Sequence, residues 1–387
     1  MIDSIFRRFN LVAIFIIWRL ILFIPIIIGV YLILPNVTSD FTYIYNPLAS
    51  PPSFNSIFLF PWANFDGIHY LNISQYGYIN QARFFPLLPL LINILSAPFL
   101  SIINSPLTHF FIGFLFVNLV FIIGLWIFKK LIELDFSKEI AKTSVYYFLI
   151  FPTSFFFVSI YSEGLFLLLV ILSFYFARKR KWFLSILCAA FLMATRFVGI
   201  AILPALLYEF FISEKSPWPN KKLILFLITP VGLMLYSVFN YYKWNNFFYF
   251  IQSQGELGNN RTVGRIVLFP QTAFRYIKIF ITVPVGSHDW MIALLEATSF
   301  LFASFLLYFA WRRKIRMSYL IFAAVNFAIT ISTGTFSALP RYILTIFPIF
   351  IALALIRSKF FKLAYVTVSS ILLFILLMLF SRGYFVA

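Results

Sequence analysis

Charge, cysteine and histidine are all scarce in this sequence. Only 11% of its 387 residues are charged, against about 25% in soluble domains. Cys188 is the single cysteine, which excludes an intramolecular disulfide. With 12 acidic residues and 3 histidines, few side chains are available for acid–base chemistry. A glycine-rich phosphate loop is also lacking, so we expect no soluble nucleotide-binding domain.

Apolar runs take up much of the chain instead, and 62% of its residues are hydrophobic. Residues 107–128 and 363–380 carry no charged side chain over roughly the 20 positions that a transmembrane helix needs. Residues 9–34 form a longer run without a small-residue cleavage site, which indicates a retained first helix. The formal net charge of +18 lies in clusters between the apolar runs, as membrane anchors do, and this argues against a nucleic-acid partner.

These patterns predict an all-α polytopic membrane protein, built as a single integral membrane domain over residues 1–387 with about 11 transmembrane helices. Segment 84–105 contains three prolines, which lack a backbone donor, and we interpret it as a membrane-parallel or re-entrant helix. Residues 182–212 are interpreted as a hairpin, because one continuous span would hold Arg196 near the bilayer centre at a cost of about 2.5–3.5 kcal/mol. The predicted spans cover residues 9–34, 107–128, 139–157, 160–177, 182–195, 197–212, 221–242, 289–311, 317–333, 339–356 and 363–381.

The basic clusters predict the orientation in the membrane. Cytoplasmic loops carry an excess of lysine and arginine, so the N-terminus is predicted to be cytoplasmic. Residues 35–106 and 243–288 then form two long extracytoplasmic stretches, and the active site is expected on that side. The membrane would be the plasma membrane in a prokaryote and the endoplasmic reticulum membrane in a eukaryote. Twenty of the 30 basic residues are predicted to lie on the same side of the membrane as the N-terminus, in clusters at 7–8, 129–142, 178–181, 215–222, 312–316 and 357–362.

The first extracytoplasmic stretch contains NFDGIHY at 64–70, which is the best candidate for a reaction centre. A carboxylate in a partly apolar pocket can have its pKa raised toward that of a useful general base, and Asp66 follows apolar residues. Gly67 lets the backbone bend or be approached closely. His69 would share the face of Asp66 if the segment is helical. The structural alternative is that Asp66 caps a helix and His69 bonds at the headgroup level.

Further candidates lie at the same predicted face. Tyr161 and Glu163 belong to FPTSFFFVSIYSEGLF, where a carboxylate among apolar residues is costly and indicates a functional group or a paired structural ion. Arg196 and Arg341 are candidate phosphate ligands, since the arginine fork suits phosphate oxygens. Arg341 also follows a proline at the start of a predicted helix, where backbone donors favour an anion. Both arginines could instead snorkel to lipid phosphates, or pair with Glu163.

The stretch FDGIHYLNISQYGYINQARFFPLLPLL at 65–91 resembles the first-loop signature of the PIG-V-like mannosyltransferases, the GPI mannosyltransferase II family and its prokaryotic relatives. Three later blocks also resemble that family, and the four together extend from residue 66 to residue 344. The sequence departs from the pattern at Phe65, which replaces a tryptophan, and at Ile68, where relatives can carry a glutamate. The matching residues are Asp66, His69, Gly77, Tyr78, Phe84, Phe85, Pro86 and Pro89, then Pro152, Phe156, Tyr161, Ser162, Glu163, Leu165 and Phe166, then Thr195, Arg196 and Gly199, and finally 341–344.

The resemblance implies a GT-C-type glycosyltransferase whose first extracytoplasmic loop carries an acidic catalytic residue and membrane-parallel helices. It implies transfer of mannose, or a similar hexose, from a polyprenyl- or dolichyl-phosphate donor to an extracytoplasmic glycan or glycolipid, with inversion and with Asp66 as general base. No cofactor is expected to be required, although a divalent metal is compatible with the scheme. The residues expected to bind substrate are His69, Arg83, Tyr161, Glu163, Arg196, Arg341 and Tyr342.

Two other functions remain open at this point. A transporter or flippase of a lipid-linked sugar would also be polytopic, but transporters tend to show internal repeats and polar breaks near the bilayer midplane. Here no repeat is visible, and the candidate polar residues gather at one predicted face. A lipid-carrier binding protein without catalysis is the third class.

Overall fold

The computed structural model of the protein describes residues 10–36, 53–101, 106–214, 221–255, 262–263 and 267–386. These residues form helices and contain no strand, which confirms the predicted all-α class. Parts of both predicted extracytoplasmic stretches lie outside the described residues. Five helical segments are long and apolar enough to cross a membrane, namely Leu11–Leu32, Leu107–Ile132, Lys221–Trp244, His288–Arg312 and Lys359–Ser381. The count of about 11 spans stays a prediction.

The described α-helices are numbered here in chain order. They are α1 Leu11–Ile21, α2 Phe23–Leu32, α3 Phe54–Phe58, α4 Asp66–Tyr76, α5 Leu87–Leu100, α6 Pro106–Ile132, α7 Lys138–Leu149, α8 Glu163–Arg178, α9 Trp182–Met193, α10 Ile202–Ser213, α11 Val231–Trp244, α12 Tyr249–Gln252, α13 Phe269–Thr282, α14 His288–Arg312, α15 Met317–Ile331, α16 Leu339–Tyr342, α17 Pro348–Leu355 and α18 Lys359–Ser381. Short 3-10 helices cover Phe60–Ala63, Ser154–Val158, Phe197–Ala201, Lys221–Ile228, Ser253–Gly255 and Ile343–Thr345.

Several of the predicted spans are interrupted, among them 139–157 and 339–356. The helix expected over 139–157 ends at Leu149, because the side chain of Ser154 donates a hydrogen bond back to the Leu149 carbonyl over 2.6 Å and Pro152 cannot continue the ladder. The helix expected over 339–356 consists of α16, a 3-10 turn and α17. The helix that carries Arg341 is therefore only four residues long. The expectation that backbone donors at its start favour an anion stays a prediction.

Segments 84–105 and 182–212 each show one local feature that bears on their predicted topology. Helix α5 contains Pro98 and has 14 residues, so at about 1.5 Å per residue it is shorter than the hydrocarbon core of a bilayer. The chain between α9 and the next helix is broken at Arg196, whose backbone is extended. The placement of both segments in the membrane, the orientation and the compartment stay predictions.

The contacts divide the chain into two compact units, and the first comprises residues 1–77, 88–168 and 356–386 as far as they are described. Helices α2 and α18 pack closely in it, since a Cβ on Gly29 would lie 3.3 Å from the Met378 carbonyl oxygen. Stacked rings fill its core, with Phe157 centred 4.6 Å from Phe121 and 4.8 Å from Phe148. The NFDGIHY segment is tied to α18 by Asn64, whose side-chain amide donates to the Phe380 carbonyl over 2.8 Å.

The second unit comprises residues 78–87 and 169–355. The hydroxyl of Tyr236 on α11 donates to the carbonyl oxygens of Ala82 and Phe84, at 2.5 and 3.2 Å, and so holds the short segment 78–87 in this unit. Tyr78 donates to the same Phe84 oxygen over 2.6 Å. The rings of Tyr78 and Phe85 pack against Tyr236, so these two residues of the 65–91 stretch have a packing role in this unit.

A buried ion network joins three helices of the second unit. Glu209 on α10 is fully buried and accepts two hydrogen bonds from Arg316, at 2.7 and 2.6 Å. Ser318 donates to the same carboxylate over 2.7 Å, and Arg178 lies 3.8 Å from it. Arg178 and Arg316 were interpreted from sequence as membrane anchors, and their pairing with Glu209 gives them a structural role as well.

Removing this carboxylate is expected to destabilise the protein strongly. In Glu209→Gln the arginines keep their charges without a counter-charge, and we expect the free energy of unfolding to fall by about 3–5 kcal/mol. Unfolding of the purified protein in detergent measures this change. The matched control is Glu133→Gln, which removes a carboxylate paired with the partly exposed Lys129 and Lys130 and should cost less than about 1 kcal/mol. Similar losses in both variants would contradict the structural role of the network.

Candidate active site

Asp66 occupies the first turn of α4, directly after a strained residue. Phe65 precedes it with φ 59° and ψ −116°, a conformation that phenylalanine rarely adopts and that is found mostly where function or tight packing requires it. Phe65, and not Asp66, is the N-cap residue, so the alternative that Asp66 caps the helix is wrong. The N-terminal end of a helix favours an ionised carboxylate, which is the form that a general base needs.

His69 lies one turn after Asp66 on the same helix, as the sequence predicted. Both side chains are half-buried, while the intervening Gly67 and Ile68 and the following Tyr70 are buried. The segment therefore presents its two titratable groups at a partly accessible face and uses the other residues for packing. Within residues 66–70, Asp66 and His69 are therefore the side chains that are accessible to a substrate.

The block around Glu163 forms the support of this segment in the first unit. The backbone N–H of Ile160 donates to the Trp62 carbonyl over 2.8 Å, and the Tyr161 hydroxyl donates to the Asn64 carbonyl over 2.8 Å. A Cβ on Gly67 would lie 3.3 Å from the Ile160 carbonyl oxygen, which explains the glycine. The block around Glu163 is thus hydrogen-bonded to the residues that directly precede Phe65 and Asp66.

Tyr161 and Glu163 are deeply buried, with 1% and 2% of their surfaces exposed. Glu163 begins α8, and its neighbour Ser162 lies 3.0 Å from the Tyr70 hydroxyl, which donates to it. This position suits a positioning role for Tyr161 toward the backbone before Asp66. The predicted contact of the two residues with substrate stays a prediction.

The second unit brings together Arg196, Arg341 and Tyr342. The Cζ atoms of Arg196 and Arg341 lie 4.6 and 5.3 Å from the centre of the Tyr342 ring. Arg341 is only 6% exposed, so it does not snorkel to a lipid headgroup. Two guanidinium groups at one ring form a local concentration of positive charge that suits an anion. Arg83, which was also predicted to bind substrate, is half-buried, and its Cζ atom lies 4.9 Å from the centre of the Phe84 ring.

A glycine fixes the turn that carries Arg196. A Cβ on Gly199 would lie 2.9 Å from the carbonyl oxygen of Leu192, so any other residue would have to displace backbone. The hydroxyl of Thr195 donates to the same carbonyl over 2.6 Å. The Thr-Arg-x-x-Gly block therefore has a direct structural explanation.

Sequence reasoning missed two residues that shape the turn before Arg341. Glu296 on α14 is buried and accepts hydrogen bonds from the Tyr276 hydroxyl and from the backbone N–H of Ala338. Tyr276 in turn accepts from the Phe336 N–H over 2.9 Å, and Ala338 has a positive φ of 63°. Burial and the Glu296 carboxylate raise the pKa of Tyr276, so its hydroxyl stays a donor. In the sequence, Glu296 could have been recognised as a carboxylate inside an apolar run.

Tyr276→Phe is expected to loosen this turn. The substitution leaves a buried carboxylate oxygen and the Phe336 N–H without the hydroxyl, which should lower the free energy of unfolding by about 1–3 kcal/mol. The melting temperature of the purified variant measures this loss. Tyr242→Phe is the control, because Tyr242 is 83% exposed, and it should melt as the wild type does. Equal melting temperatures for Tyr276→Phe and wild type would contradict the proposed support.

No group of three or more histidine, cysteine, aspartate or glutamate side chains could hold a metal ion within the part of the chain that the structure describes. The expectation that the reaction requires no metal stays a prediction, and adding a chelator to the purified protein tests it.

Comparison with known proteins assigns the family. The sequence profile of the family described as Mannosyltransferase (PIG-V) matches residues 8–296. Two solved structures of the Archaeoglobus fulgidus oligosaccharyltransferase, with zinc and sulfate and in the apo form, are similar at 14% identity each, with TM-scores of 0.47 and 0.46. The matches cover 84% and 96% of this chain but 49% and 56% of those chains, so the protein spans about half their length. A search of curated proteins found no match. The chain belongs to the Mannosyltransferase (PIG-V) family.

Proposed function

We propose that the protein transfers mannose, or a similar hexose, from a polyprenyl- or dolichyl-phosphate donor to an extracytoplasmic glycan or glycolipid. The transfer proceeds by a single displacement with inversion at the anomeric carbon. The observation that supports this most is the position of Asp66, a half-buried carboxylate in the first turn of a helix whose backbone is fixed by buried hydrogen bonds.

Asp66 serves as the general base of this reaction. It accepts the proton of the acceptor hydroxyl while the oxygen of that hydroxyl forms a bond to the anomeric carbon. The bond from the anomeric carbon to the phosphate oxygen breaks, and its electron pair leaves with the lipid phosphate. His69, one turn along the same face, orients the acceptor or the sugar. The rigid backbone around Asp66 holds the base in place before the substrate arrives.

The leaving lipid phosphate gains negative charge, and a cation should stabilise it more in the transition state than in the bound donor. Arg341 is the first candidate for this role because it is buried beside Tyr342, and Arg196 at the same ring is the second. Arg83 is assigned to donor or acceptor binding. Glu163 holds an arginine or a sugar hydroxyl, and Tyr161 supports the loop.

The choice of donor tests this function. Purified protein is given radiolabelled mannose on polyprenyl phosphate in one reaction and on a nucleotide in another, with an envelope glycolipid extract as acceptor in both. We expect labelled product from the lipid-linked donor alone. Product from the nucleotide-linked donor alone would contradict the proposal.

The transporter and the non-catalytic binding protein predict different outcomes. A flippase moves intact lipid-linked mannose across the bilayer of a sealed vesicle without breaking the mannose–phosphate bond. A binding protein retains the lipid and changes neither its position nor its covalent structure. Analysis of the lipid-linked mannose after incubation with the protein in vesicles separates both from transfer.

A further inference from the structure

Arg19 is a buried cation to which the proposed reaction gives no role. It belongs to α1, inside the first candidate span, and only 8% of its surface is exposed. A charged side chain at such a place costs free energy unless a counter-charge or hydrogen bonds compensate it. Its immediate surroundings therefore indicate what it binds.

Among the described residues, one hydrogen-bond acceptor contacts this guanidinium group. Nε of Arg19 donates to Oδ1 of Asn118 on α6 over 3.1 Å, and Asn118 is itself fixed through a 2.7 Å bond to the Phe114 carbonyl. Nη1 and Nη2 are buried and have no hydrogen-bond partner among the described residues. Ion pairs with carboxylates are likewise lacking there, so the N–H groups of both nitrogens have no acceptor among the described residues.

Aromatic rings occupy most of the space around this group. The Cζ atom of Arg19 lies 3.7 Å from the centre of the Trp62 ring, 4.9 Å from that of Phe23 and 5.2 Å from that of Phe114. A guanidinium group that packs against rings directs its N–H groups along its edge, where a planar fork can meet two oxygens of one anion. The low polarity of the surroundings strengthens any such contact.

The side chains around Arg19 differ in exposure. Trp62 is fully buried, whereas Phe23, Phe114 and Asn118 are half-buried. The residues next to them are large, apolar and exposed, which is typical of a surface that faces hydrocarbon. They are Leu20, Leu115 and Leu119, with 61%, 63% and 58% of their surfaces exposed.

We propose that Arg19, oriented by Asn118, forms a phosphate-binding site of the first unit that takes the phosphate group of a membrane lipid. Nη1 and Nη2 donate to two phosphate oxygens, which gives the buried charge its counter-charge. The apolar surface of α1 and α6 accommodates the acyl or prenyl chains. The site does not depend on the proposed transfer reaction, and it does not require the bound lipid to be a substrate.

Lipid retained by the purified protein tests this site. Wild type, Arg19→Lys, Arg19→Met and the control Arg313→Met, which removes an exposed arginine, are purified without phosphate buffer and examined by native mass spectrometry. We expect wild type and the control to retain a phosphate-bearing lipid, Arg19→Lys to retain less of it because lysine lacks the fork, and Arg19→Met to lose it. If Arg19→Met does not fold, equal retention by wild type and Arg19→Lys contradicts the proposal.

Added ligands distinguish the source of the phosphate. After the protein has been stripped of lipid, phosphatidic acid should raise the Tm of the wild type by about 2 °C or more, and diacylglycerol with the same chains should not. Inorganic phosphate should leave the Tm unchanged. If inorganic phosphate raises the Tm and phosphatidic acid does not, the proposal that the ligand is a lipid is contradicted. Equal lipid retention by wild type and Arg19→Met would overturn the site.

Discussion

Replacing Asp66 with asparagine is expected to lower turnover by about 10²–10⁴-fold, the usual size of a general-base contribution. Asparagine keeps the shape of the side chain but cannot accept the proton of the acceptor hydroxyl. Donor binding and folding should survive, because the surrounding backbone is held by Tyr161 and by the packing at Gly67. The initial rate of mannose transfer at saturating donor and acceptor measures the loss.

Asp289→Asn is the matched control for this experiment. Asp289 also lies in the first turn of a helix, α14, but 89% of its side chain is exposed. Its replacement should leave the transfer rate unchanged. Near-normal turnover by Asp66→Asn would remove Asp66 from the role of base, and Glu163 would be the next residue to test.

Replacing Arg341 with alanine is expected to raise the barrier to transfer by about 2–4 kcal/mol, as does the loss of other preorganised donors to developing charge. Arg341→Lys keeps the charge but loses the bidentate fork, so its rate should lie between those of wild type and Arg341→Ala. Rates at saturating lipid donor measure the effect on the chemical step rather than on binding. Arg357→Ala, which removes an exposed arginine, should have no effect.

A structural role for Arg341 gives a different pattern. If its charge only packs against Tyr342, the alanine variant loses stability and the folded fraction keeps its transfer rate. Normal transfer per folded molecule by Arg341→Ala would therefore exclude Arg341 from phosphate stabilisation. Arg196, at the same ring, would then be the residue to replace.

The sequence predicted the long helices well because their signal is local. An uninterrupted apolar run sets both ends of a span, and the expected segments 289–311 and 363–381 lie within α14 and α18, which extend beyond them by one to four residues at their N-terminal ends. The breaks at Leu149 and after Tyr342 were missed. They depend on a side-chain hydrogen bond and on proline positions within apolar runs, which hydropathy does not register.

The part of the candidate site that the sequence predicted also has a local signal. Asp66 and His69 are three residues apart, so one helix places them on one face whatever the rest of the chain does. The roles of Glu296, Glu209 and Arg19 depend on partners far away in sequence, and no local pattern specifies those contacts. Each of these three residues is, however, a charge within an apolar run, and such a charge is the sequence signal for a buried partner or ligand.

The proposed function is tested most directly by the stoichiometry and stereochemistry of a single transfer. Purified wild-type protein is incubated with polyprenyl-phosphate mannose and an acceptor glycolipid, and both products are quantified. We predict that mannosylated acceptor and free polyprenyl phosphate form in equal amounts, that the anomeric configuration of mannose is inverted, and that Asp66→Asn forms neither product at a comparable rate. Retained configuration, release of polyprenyl phosphate without mannosylated acceptor, or equal product formation by Asp66→Asn would contradict a single displacement with Asp66 as the base.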